Sequence, residues 1–169
     1  LSNLRTLESP ATRMDRAGRV WQLTLADGSV LGADLVVGAD GKKSTVRAAA
    51  GIGVHEHAFD EAALVCDLRL ARPLGGASVE FHYPHGPFTL VPAGDDRANL
   101  VWIDERTVLD AARAAGADGL RERLEEKSQR LFGTIEPVSP AFVFPLSTLR
   151  VDTAGREGVV LVGEAAHAF

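Results

Sequence analysis

This chain is poor in the features that assign a function at sight. Among 169 residues there is a single cysteine, Cys66, which excludes an internal disulfide and any multi-cysteine metal site. Its setting, ALVCDLRL, reads as a strand with a small buried residue. No apolar run approaches the ~20 residues of a membrane-spanning helix, and no signal peptide opens the chain. Cytoplasm is therefore the default location, with peripheral attachment of a longer parent to a membrane left open. Acids outnumber bases 23 to 18, and the two are mixed along the chain for a net charge of −5. Without a basic stripe, nucleic acid is not an expected partner. G-x-S-x-G, H-E-x-x-H and Walker loops are all lacking. An initiator methionine is lacking too, and the chain stops soon after its last strand-like run, so it reads as a fragment.

What is present is the composition of a folded domain, 46% hydrophobic and 24% charged. Residues 20–25, VWQLTL, end at Ala26-Asp27-Gly28-Ser29, which reads as a β-hairpin. Leu35-Val36-Val37 is a buried strand by its continuous apolar run, and Ser44 caps a short helix closed by Gly51. Between Phe59 and Ile103, the runs AALVCDLRL, ASVEFHY, GPFTLVP and ANLVWI alternate with Gly/Pro/Asp turns, as in an antiparallel meander. Two helices are expected next. Thr107 and Asp110 form a capping box for the first, which Gly116 ends, and Asp118 caps the second. In the second helix Leu120, Leu124 and Leu131 share a stripe. His55 and His57 are one residue apart, but no third ligand accompanies them, and a surface pair is expected rather than a metal site.

Two strings carry most of the chemistry. LVVGADGKKSTVR (35–47) and VVLVGEAAHAF (159–169) each run from branched apolar residues through a glycine and an acid into an expected helix. That order puts a carboxylate at a strand-to-helix turn, where outward-facing amides can meet a nucleotide's hydroxyls or phosphates. Arg47, one turn into its helix, could pair with Asp40 or approach a phosphate. Each string alone is compatible with an ordinary turn.

Together, the pair resembles the flavoprotein aromatic hydroxylases, the para-hydroxybenzoate hydroxylase-like group A monooxygenases. The segment FHYPHGPFTLVPAGDDRANLVW is most similar to their ubiquinone-biosynthesis branch. The resemblance implies a mixed α/β fold: a partial FAD/NAD(P)-binding Rossmann-like domain (1–53 and 152–169) with an inserted antiparallel sheet-and-helix substrate domain (54–151). By position, Asp40 and Gly41 match the family's Asp-Gly motif, and Arg47 its arginine, associated with NAD(P)H. Gly163, Glu164, Ala165, Ala166 and His167 match the later Gly-Asp motif, whose acid binds the ribityl chain of FAD. Here that acid is Glu, one methylene longer. The family's opening G-x-G-x-x-G turn does not occur in this sequence.

The implied chemistry is reduction of FAD by NAD(P)H, addition of O₂ to give a flavin hydroperoxide, and hydroxylation of an aromatic or quinone-precursor ring. The cofactor carries that chemistry, so no side chain is named as catalytic. Phe81, Tyr83 and Trp102 are candidate substrate contacts. The competing expectation is a non-catalytic binding or scaffold module, or an inactive excised segment that does not retain FAD. Oligomeric state is not legible.

Overall fold

The computed structural model describes residues 3–169, which divide into two compact units. One comprises the residues through His57 together with Ser147–Phe169; the other is Ala58–Leu146. Each is described by itself.

The first unit opens with an antiparallel meander of β1 (Ala11–Ala17), β2 (Val20–Leu25) and β3 (Val30–Ala33). The β2–β3 turn has the expected chemistry: Gly28 adopts φ 84°, and Asp27 accepts bonds from the Ser29 amide and hydroxyl. β4 (Val36–Gly38) and the five-residue α1 (Thr45–Ala49) follow. Ser44 caps α1, its Oγ accepting from the Arg47 amide at 2.9 Å. Ser44→Ala is expected to lower stability by about 1 kcal/mol, read as a shift in thermal midpoint; an unchanged midpoint would remove the cap from the account.

β5 (Val54–Leu70) carries the chain into the second unit, where β6 (Val79–Tyr83), β7 (Gly86–Pro92) and β8 (Arg97–Glu105) continue an antiparallel meander. β5 begins earlier than the apolar pattern announces, because its first half, VHEHAFDE, is almost entirely exposed and polar. Next come α2 (Arg106–Ala114), α3 (Gly116–Lys127) and the short β9 (Ile135–Pro137), which pairs with the end of β5. The helix caps differ from expectation. Thr107 lies inside α2, which starts from Glu105 with no side-chain cap, and Asp118 sits in the first turn of α3, paired with Arg121. Gly116, at φ 73°, makes a corner after which helix resumes at once. Leu120 and Leu124 are buried as the stripe requires, but Leu131 lies past the helix and is exposed.

β10 (Phe142–Val151) returns the chain to the first unit, followed by β11 (Gly155–Arg156), β12 (Val159–Leu161), a 3₁₀ turn at Gly163–Ala165 and β13 (His167–Ala168). The core of the second unit joins alternate residues of β5, β7 and β8 (Leu64, Leu68, Phe88, Leu100 among them) to Leu109 of α2 and Leu124 of α3. The first unit's core gathers Met14, Trp21, Val36, Val46, Val159 and Leu161. The class is thus mixed α/β, with mostly antiparallel strands and few helices.

Candidate functional site

β4 and β12 are the parallel pair of the first unit, in register from Val36↔Val159 to Gly38↔Leu161. A Cβ at Gly38 would lie 2.8 Å from Leu161 Cδ2 and 3.0 Å from Val46, so only glycine lets these strands and α1 pack this closely. Because the pair is parallel, the two motif turns leave the same end of it. The Val162 amide continues the pairing past the strands, donating to the Gly38 carbonyl at 2.9 Å. The segments holding Asp40 and Glu164 are thereby neighbours.

The Asp40 carboxylate is directed at the start of α1. It accepts from Ser44 Oγ (2.5 Å) and from the Thr45 and Val46 amides (2.7 and 3.2 Å). Burial opposes its charge, but the Ser44 hydroxyl and these amides outweigh that and hold its pKa below the ordinary carboxylate range. Gly41 takes φ 79°, a left-handed turn that glycine adopts without strain. Arg47 neither pairs with Asp40 nor reaches outward as expected. Its guanidinium is buried and donates to the main-chain carbonyls of Ala165 (2.9 Å) and Lys42 (2.7 Å).

The helix expected after Gly163 does not form. Gly163 (φ 57°), Glu164 and Ala165 make a single 3₁₀ turn, closed by the Ala166 amide on the Gly163 carbonyl. The chain then enters β13, which pairs with β10 at Leu149 and Arg150. Ala165 and Ala166 are buried in the first unit's core, where their small size serves packing. Glu164 is exposed, and among the described residues its carboxylate makes no hydrogen bond or ion pair. His167 is exposed, its ring 5.4 Å from that of Phe169. A cavity of about 460 Å³ lies beside the Asp40 turn, walled by Met14, Leu23, Val36, Val37 and Val46. Glu164 shares the strand end with Asp40 but is not among the residues lining that cavity.

The candidate substrate contacts Phe81, Tyr83 and Trp102 lie on the helix-covered side of their sheet. Trp102 is 1% exposed in the second unit's core, and Phe81 and Tyr83 pack against the same cluster. Alternation grouped these residues rightly, but it could not say which face the helices would cover. The opposite face of that sheet carries Ala63, Val65, Thr89, Val101 and Ile103. Among the described residues no His/Cys/Asp/Glu group could hold a metal ion; His55 is bound to Asp152 at 2.7 Å. Burial pushes the Cys66 thiol up to about 11, which makes it a packing residue. No helix among the described residues is long and apolar enough to cross a membrane.

Sequence reading missed one cluster in the second unit. Asp104, buried at the end of β8, accepts from Trp102 Nε1 (3.0 Å) and Lys127 Nζ (2.8 Å). The Lys127 ammonium also stands 4.3 Å from the centre of the Tyr83 ring, and the Tyr83 hydroxyl donates to the Lys127 carbonyl at 2.6 Å.

The chain is similar in sequence and in fold to known proteins. Ubiquinone hydroxylase UbiL of Rhodospirillum rubrum is 35% identical over 144 residues, covering 85% of this chain and 34% of the relative. The 3-demethoxyubiquinol 3-hydroxylase of Escherichia coli is 30% identical over 164 residues, covering 96% and 42%. The chain therefore spans about a third to two-fifths of the length of these relatives. The crystal structure of PqsL, a probable FAD-dependent monooxygenase from Pseudomonas aeruginosa, superposes with a TM-score of 0.77 at 28% identity, over 95% of this chain and 46% of that one. A family model described as the FAD binding domain matches residues 13–169, and the chain belongs to that family.

Proposed function

We propose that this chain is a portion of an FAD-dependent, NAD(P)H-using monooxygenase that hydroxylates an aromatic or quinone-precursor ring with O₂. The observation that carries the reading is the juxtaposition of two acid-bearing turns at one end of the β4–β12 pair, with the Glu164 carboxylate exposed and without a partner among the described residues. The residues present fit the cofactor. An unengaged carboxylate is a ready acceptor for ribityl hydroxyls, and Gly163 leaves open space where a side chain would stand. Glu164 and the Gly163 main chain would hold the flavin's polyol, while Asp40 shapes the neighbouring turn through its bonds to α1. When bound, FAD supplies the redox and oxygen-transfer chemistry.

The protein's part is then to bind, orient and exclude water. In the second unit, the sheet face opposite the helices, with half-buried Val65, Val101 and Ile103 beside buried Ala63, is the surface we assign to an apolar ring. Residues 1–57 and 147–169 serve the cofactor, and 58–146 the substrate. The ubiquinone-pathway names of the two relatives support a quinone-like ring. We expect the isolated 169-residue chain to hold FAD weakly and to be inactive, since it contains no G-x-G-x-x-G turn for the pyrophosphate.

The test is expression of the whole protein that contains this chain. A flavin absorption band, with NAD(P)H consumption coupled to a hydroxylated product, is the expected result. A colourless, well-folded protein that takes up no flavin would refute the reading and favour a binding or scaffold module.

A further inference from the structure

We infer that Arg47 is a positioning residue that latches the two cofactor turns together, and that it makes no contact with the cofactor or with NAD(P)H. The inference rests on the FAD reading for its consequence, but on geometry for its substance. The side chain is only 9% exposed, so its planar fork has little access to a ligand in solvent. Two of its N–H donors are engaged within the protein: Nη1 on the Ala165 carbonyl at 2.9 Å and Nη2 on the Lys42 carbonyl at 2.7 Å. Lys42 belongs to the turn that follows Asp40, and Ala165 to the turn that bears Glu164. One guanidinium thus joins the Lys42 turn to Ala165, which lies 118 residues beyond Arg47 in the chain.

Several details fit a latch better than a ligand contact. Among the described residues no carboxylate forms an ion pair with Arg47, and the acid nearest in the motif, Asp40, is committed to Ser44 and the α1 amides. A buried charge without a counter-ion persists only where carbonyl dipoles solvate it. Its position is fixed at both ends. The Arg47 amide donates to Ser44 Oγ, and Lys42 is itself anchored, its ammonium donating to Ser147. The Gly163–Ala165 turn, by contrast, has few ties of its own. It is held by the Ala166 amide on Gly163, the Val162 amide on Gly38 and the Arg47 fork on Ala165. Removing the fork takes away the side-chain tie on Ala165 and leaves the main-chain bonds of Val162 to Gly38, Ala166 to Gly163 and Val151 to Ala166, with the burial of Ala165 and Ala166, to hold the turn that bears Glu164. A lysine cannot replace it fully, because its three donors diverge from one nitrogen and cannot reach two separated carbonyls with the same geometry.

The test compares Arg47→Met and Arg47→Lys with the wild type in the full-length protein, by two readouts. The first is amide hydrogen exchange of the flavin-free protein at Val162 and Ala166. We expect about tenfold faster exchange in Arg47→Met and a smaller increase in Arg47→Lys. Unchanged exchange in both variants, or in Arg47→Lys alone if Arg47→Met does not fold, overturns the latch. The second is the affinity for FAD beside that for riboflavin, which lacks the pyrophosphate and adenosine. A latch acting on Glu164 weakens both by the same factor, about fivefold for Arg47→Lys. Loss confined to FAD overturns the proposal, because it places the guanidinium on the pyrophosphate. A wild-type protein that binds neither flavin defeats the FAD reading, and the exchange result still decides the latch.

Discussion

Asp104→Ala is expected to destabilise the second unit by about 3–5 kcal/mol, the usual cost of removing one partner from a buried ion pair. Asp104 is 5% exposed, and three donors converge on it: the Trp102 indole, the Lys127 ammonium and the Glu105 amide. Alanine strands the first two. Because Lys127 also lies over the Tyr83 and Trp102 rings, the loss loosens β6, β8 and α3 together. Asp104→Asn keeps an acceptor for the indole and should cost less, about 1–2 kcal/mol. Adding Lys127→Met to Asp104→Ala should recover part of the loss, since no charge is then left without a partner. Urea unfolding followed by circular dichroism measures all three variants. A loss under about 1 kcal/mol for Asp104→Ala would show the cluster to be incidental.

The same carboxylate sets a pH dependence whose sign follows from its surroundings. Burial raises the Asp104 pKa, but the bonds from Lys127, Trp102 and the Glu105 amide, with the Lys127 charge, outweigh burial and lower it. A folded value below the unfolded one means that its contribution is complete above the unfolded pKa, about 3.9. That contribution is lost as pH falls through the folded value. Asp104→Asn should flatten this acid limb of the stability profile.

Periodicity made the two cores legible, and motif order made the two acid-bearing turns legible, for different reasons. Leu64, Leu68, Leu90 and Leu100 fall on one face because a strand alternates strictly, and the sheet buries that face. The polar first half of β5 has no such signal; its residues join the strand through pairing partners remote in sequence. Asp104 was readable in principle, since it continues the Ala98, Leu100, Trp102 alternation and so stands at a core position. Its partner Lys127 was not, because nothing in a charged helix end says which acid it meets. The partners of Arg47 were not legible for a related reason. Spacing places it one turn into α1 but is silent on the Ala165 carbonyl, which arrives through the β4–β12 register. At Gly163 an acid in a first turn suggested a helix, but pairing of β13 with β10 redirects the chain after one turn.

Glu164→Ala in the full-length protein is expected to raise the FAD dissociation constant by about 5- to 150-fold, equivalent to about 1–3 kcal/mol for one or two lost charge-assisted hydrogen bonds. The exposed Glu164 carboxylate has no partner among the described residues, so its removal leaves no group unsatisfied within the protein. Folding stability should change by less than about 0.5 kcal/mol, as at other exposed positions. That separation makes the variant informative: binding falls while the thermal midpoint of the flavin-free protein holds. Glu164→Asp shortens the reach by one methylene but keeps the charge, and should recover most of the affinity if the turn can follow. Flavin retention measured by fluorescence after gel filtration decides the matter, because a scaffold module gives the same result for all three proteins. Unchanged retention in Glu164→Ala beside a flavin-loaded wild type would assign the polyol to other groups and leave the Glu164 turn with a purely structural role.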